Sequence, residues 1–130
     1  MKKIILPPSI AKPGGNYSHG VSIGPGRLLF IAGQTATGPD GSIVGIGDPY
    51  AQARQVYQNM EAVLSEAGGT FDDVVKITTF ITDISYREQV NKARSQFFRK
   101  DFPASTLVVV KGLARAEFLV EVEAIACIEQ

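Results

Sequence analysis

The segment Phe118–Ile128 constrains the fold more than any other part of the chain. Phe118, Val120, Val122, Ala124, Ala126 and Ile128 occupy alternate positions, with Leu119, Glu121, Glu123, Ile125 and Cys127 between them. Successive side chains of a strand point to opposite faces, so this alternation defines a long strand with two different faces. The first set is wholly apolar and needs a cover of helices. The second mixes carboxylates with apolar groups, which suits the wall of an oligomer interface with polar pockets in it better than free solvent.

Two helices are available as the cover. Asp48 is a good N-cap and Pro49 suits the first helical position, which needs no hydrogen-bond donor. From there Val56, Met60, Val63, Leu64 and Ala67 recur at helical spacing, and Gly68-Gly69 stops the helix. A second long helix is predicted from Ser85, with Glu88 completing a capping box and Tyr86, Val90, Ala93 and Phe97 forming its stripe. Between the helices, Val74–Asp83 is rich in Val, Ile, Thr and Phe and reads as a strand.

Further strands are predicted at Lys2–Leu6, Ser18–Ile23, Leu28–Gln34, Ile43-Val44 and Thr106–Val110. Gly24-Pro25-Gly26 would join the second and third of these, and Pro7–Gly15 is a loop. The expected class is α+β, one domain over residues 1–130, with two helices on one face of a sheet and a hairpin-like pair at each end.

Composition removes several function classes. Lys plus Arg equals Asp plus Glu at 13 each, so the basic excess of a nucleic-acid binder is absent. The apolar start is ended by Pro7-Pro8 well short of a signal peptide's core, and no apolar run is long enough to span a membrane. A single cysteine, Cys127, forms no internal disulfide, which fits a reducing compartment, and the protein is expected in the cytoplasm. At 130 residues the chain needs neither metal nor disulfide to fold.

Few residues suggest chemistry. Glu121 and Glu123 share one strand face with Cα atoms about 6.5–7 Å apart. Burial and a neighbouring like charge both disfavour ionisation, so one of them is a candidate general base; the alternative is a pair of solvated or ion-paired carboxylates. His19 is the only histidine and cannot define a metal site, which takes three or four ligands. Cys127, among apolar neighbours, reads as an inert thiol of the core or an interface. Gly45-Ile46-Gly47-Asp48-Pro49-Tyr50 lacks the third glycine of a dinucleotide loop, and Pro49 removes a donor, so no nucleotide motif is assigned.

Tyr17-Ser18-His19-Gly20-Val21, followed by Leu28-Leu29-Phe30-Ile31-Ala32-Gly33-Gln34, resembles the entry strands and S/A-G-Q signature of the RidA/YjgF family, also described as endoribonuclease L-PSP. Ala51–Gln55 with Asn59-Met60 resembles its first helix, and Val74–Thr78 with Phe80–Asp83 its central strand. Phe102-Pro103-Ala104-Ser105-Thr106 and Val120–Ala126 resemble its closing signature, so the likeness runs in order from Tyr17 to Ile128. It implies a chorismate-mutase-like fold, assembled as a homotrimer with small-molecule clefts between subunits and using no metal or cofactor. Well-known members hydrolyse reactive enamines and imines to a keto acid and ammonia.

By that resemblance Glu121 positions the attacking water, and Tyr17 and Gly33 line the cleft. Ser105 stands where the family has the arginine that grips the substrate carboxylate, and Leu107 where it has a pocket cysteine. Loss of such a charged partner costs a bound carboxylate about 2–3 kcal/mol. Lys111 or Arg115 would replace it only by reaching in from a strand end or loop. The implied ligand therefore differs from standard imino acids and is less anionic. The implied activity is enamine or imine deamination, the alternative a non-catalytic ligand-binding or protein-interaction trimer. Ribonuclease action is a third reading, opposed by the zero net charge.

Overall fold

The computed structural model describes residues 2–129. Met1 and Gln130, the ends of the expected 1–130 domain, lie outside the described residues. In chain order the elements are β1 (Lys2–Ile5), β2 (Gly20–Ile23), β3 (Arg27–Gln34), α1 (Pro49–Glu66), β4 (Val74–Ile81), α2 (Arg87–Arg94), β5 (Ala104–Val109) and β6 (Val120–Ile128).

The alternating segment is the hub of the fold. β6 pairs antiparallel with β3 on one side and β4 on the other, and β5 adds parallel to β4, giving the order β3-β6-β4-β5. Val120, Val122, Ala124, Ala126 and Ile128 are buried, and all but Ile128 join the cluster formed with Val56, Met60 and Leu64 of α1 and Val90 and Ala93 of α2. The opposite face of the sheet is uncovered by the chain. There Leu28 and Phe30 of β3 are 53% and 69% exposed, paired across to Cys127 and Ile125 of β6.

α1 begins and ends as its sequence dictates. The Asp48 side chain accepts from the Ala51 N–H, Pro49 occupies the first turn, and Gly68 takes φ +82° beyond the Ala67 cap. Within the rejected nucleotide motif, Gly45 and Gly47 also have positive φ. That loop serves the fold, because buried Gln52 donates to the Gly45 and Glu117 carbonyls and accepts from the Leu119 N–H.

Three expectations are corrected. β2 pairs with β1, not with β3, because β3 finds a longer antiparallel ladder along β6. The Gly24–Gly26 turn thus connects two sheets, with Gly26 so close to Cys127 that a Cβ there would lie 2.7 Å from its Sγ. α2 is short at eight residues, and its predicted Ser85–Glu88 capping box does not form. Asp83 wins instead: its carboxylate accepts from the Ser85 N–H at 2.8 Å and caps a single 3-10 turn before α2. Ile43-Val44 is reduced to one bridge, between Thr37 and Ile43.

Phe97 and Phe98, just past α2, pack their rings with Phe71 and with Tyr57, a buried α1 residue outside the predicted stripe. The Tyr57 hydroxyl is enclosed without a hydrogen bond of ordinary geometry. Burial pushes its pKa up, opposed by the nearby Arg94 charge and Thr79 hydroxyl. A buried unsatisfied hydroxyl costs about 1–3 kcal/mol, so Tyr57→Phe is expected to leave the urea midpoint unchanged or raise it. A clear fall in the midpoint would show that the hydroxyl is bonded after all.

Candidate functional site

Glu121 lies on the uncovered sheet face, opposite Phe80 of β4. Across from it the β3–β6 register shifts between Ile31 and Gln34, pushing Gly33 out of the regular ladder. The Glu121 carboxylate sits directly against the Gly33 backbone, and any Cβ at that position would overlap it. The absence of a Cβ at Gly33 is what lets the carboxylate take this position. Glu121 is half-buried, and none of the described residues donates a hydrogen bond to its carboxylate.

Glu123, two residues on, is exposed and has a different neighbour. It acts electrostatically on Lys76, whose pKa is lowered by burial and partly restored by the Glu123 charge. Lys76 Nζ donates to the Ile77 carbonyl and to the Thr78 and Thr106 hydroxyls. The two carboxylates thus share a face but not a task.

Tyr17, Ser105 and Leu107 meet on the other side of the sheet. Ser18 is the clamp that brings them together: its N–H donates to the Pro103 carbonyl, its hydroxyl to the Phe102 carbonyl, and it bridges to Ala104 at the start of β5. Tyr17 is thereby held beside β5. Ser105 and Leu107, two apart on that strand, share the face turned toward α2. A cleft of about 210 Å³ results, lined by Tyr17, Ser105 and Leu107 together with Arg87, Asn91 and Arg94. Gly33 and Glu121 are not in it. Within one chain the expected site residues form two half-sites on opposite sheet faces.

Arg94 is the functional candidate that the sequence reading missed. It is 8% exposed and donates to Ser105 Oγ at 3.1 Å and to the Asn16 carbonyl at 3.2 Å. The signal was present: Arg94 stands four residues after Val90, so a charged residue occupies a position of the apolar stripe. Lys111 and Arg115, the expected substitutes for the family arginine, are exposed and do not line the cleft.

His19 is pinned to the first loop, its Nε2 donating to the Ala11 carbonyl at 2.6 Å and its ring edge-on to Tyr17. Cys127 is buried. Among the described residues no group of three or more His, Cys, Asp or Glu is placed to hold a metal ion. Nor is any described helix long and apolar enough to cross a membrane.

The chain matches the family model described as Endoribonuclease L-PSP over residues 9–128. It is 36% identical over 126 residues to a RutC family protein of Pyrococcus horikoshii, covering 97% of this chain and 98% of that protein. A RutC family protein of Pyrococcus abyssi is 34% identical over 125 residues, 96% of each. Among solved structures, the Rid family protein YyfB from Yersinia pestis aligns with a TM-score of 0.90 at 33% identity over 98% of both chains. RidA from the Antarctic bacterium Psychrobacter aligns with a TM-score of 0.74 at 30% identity, covering 97% of this chain and 99% of that one.

Proposed function

The chain belongs to the endoribonuclease L-PSP family, also called RidA/YjgF, and from that premise we propose that it hydrolyses a reactive enamine or imine in clefts between the subunits of a cytoplasmic homotrimer. The observation that carries this reading is the Glu121 carboxylate, seated over Gly33 on a sheet face the chain leaves uncovered and engaged by no described donor. A carboxylate so placed has its lone pairs free for water. It takes a proton from the water as the oxygen bonds to the imine carbon and hands it to the nitrogen, giving a carbinolamine. Relaying the hydroxyl proton to that nitrogen as the C–N bond breaks then leaves a carbonyl and ammonia. The chemistry needs no metal or cofactor.

The apolar rim supports the assembly. Leu28, Phe30 and Val108 expose 53%, 69% and 38% of their surface on the same face as Glu121, as a buried interface would require. Closing that face against a neighbour's cleft would join the two half-sites.

The test follows loss of an imine generated in place by an amino-acid oxidase, with wild type, Glu121→Gln and Gly33→Ala compared. In Gly33→Ala the clash is with the end of a flexible side chain, so the fold should survive. The carboxylate, however, must move, and turnover is expected to fall roughly hundredfold, the scale for an ångström of misplacement. Wild-type rate in that variant would detach Glu121 from the chemistry.

A second reading, a ligand-binding trimer without catalysis, is favoured by Ser105 and Leu107 standing in place of the family's arginine and cysteine. It predicts saturable stabilisation by ligand with no turnover.

A further inference from the structure

We propose that Arg94, reaching in from α2, is the anchor for a ligand carboxylate, so that the cleft beside β5 takes small anionic molecules although position 105 is a serine. The case starts from an unbalanced charge. A guanidinium is always ionised and carries five N–H donors. That of Arg94 is buried, yet its two hydrogen bonds go to neutral oxygens, Ser105 Oγ and the Asn16 carbonyl. A buried charge normally has an opposite charge beside it. The cleft wall contains two guanidinium groups, Arg94 within and exposed Arg87 at the rim, and no carboxylate.

The lining also has the right chemistry for a planar oxyanion. Arg87, Asn91 and Arg94 follow one another at four and three residues along α2 and present donors to one opening. Arg94 contacts the side chain at the very position that would hold the arginine in relatives by resemblance, so the charge has moved from β5 to α2 while the Ser105 hydroxyl orients it. Fork-shaped donors suit a carboxylate through paired hydrogen bonds. The less anionic ligand expected from Ser105 alone is thereby reversed: the substrate class is a carboxylate-bearing imine or enamine, approached from the α2 side. This rests on the proposed activity for the identity of the reacting group, whereas anion binding is read without turnover.

The experiment compares pyruvate, the simplest keto-acid product of such a reaction, with its neutral isostere pyruvamide. Binding of each to the full-length chain is measured by calorimetry. Wild type should bind pyruvate on the order of tenfold or more tighter, the scale of a charge-assisted hydrogen bond. Arg94→Gln should erase that preference, and Arg94→Lys should retain part of it. If Arg94 were only a strut between Asn16 and Ser105, its removal would weaken both compounds alike and leave their ratio unchanged, which would overturn the proposal. Equal affinities in wild type, or no measurable pyruvate binding, would overturn it without any variant. Pyruvate preference without imine turnover would sink the catalytic reading and leave the anion site standing.

Discussion

Glu121→Gln is expected to lower imine hydrolysis by roughly 10²–10⁴-fold while leaving the fold and assembly intact, because one proton-transfer group of this kind contributes about that much. The substitution keeps the shape of the side chain and removes its basicity. No described donor loses a partner, since none engages the carboxylate. The half-buried position on β6 also means that no core volume changes. A loss of rate in this variant therefore reports chemistry. An unchanged rate would move the water-positioning role elsewhere.

Phe30→Asp is expected to have the second large effect, turning the proposed trimer into single chains of 14.0 kDa in sedimentation. In the isolated chain Phe30 is 69% exposed, so aspartate there costs the subunit fold little. Buried in an interface, the same carboxylate would be desolvated without a partner, at a cost of several kcal/mol per copy. Hydrolysis should vanish with the assembly even though Glu121 and the Arg94 cleft are untouched. A wild-type chain that sediments as a monomer, or a Phe30→Asp trimer with full mass, would contradict the intersubunit site.

The features legible in the sequence are those governed by local periodicity and capping. Strand alternation assigned the two faces of β6, and Asp48-Pro49 with Gly68 bounded α1, because each signal is contained within a few residues. Strand partnership is not local. β2 and β3 looked like a hairpin across Gly24–Gly26, but the choice between β1 and β6 as partners is made by ladder length and sheet closure. The start of α2 was misplaced because Asp83 and Ser85 are both competent caps, and only the observed backbone shows which one is used.

The candidate site divides in the same way. Strand alternation already marks Glu121 as a candidate, and resemblance adds its role together with Gly33, Tyr17, Ser105 and Leu107. Their separation onto two faces, however, follows from β5 register and the Ser18 clamp, which no motif encodes. Arg94 escaped notice because α2 reads as an apolar stripe with surface charges. Its burial depends on where the helix docks against β5.

The most direct test of the central claim, that Glu121 of one subunit completes the cleft of another, is subunit mixing. Glu121→Gln removes the base, and Leu107→Trp blocks the cleft with bulk; each alone should be inactive. Unfolded together in equal amounts and refolded as mixed trimers, they should recover about a quarter of wild-type imine hydrolysis, the share of clefts in which both half-sites are wild type. Mixed trimers that form yet remain inactive would show that the two half-sites do not meet between subunits.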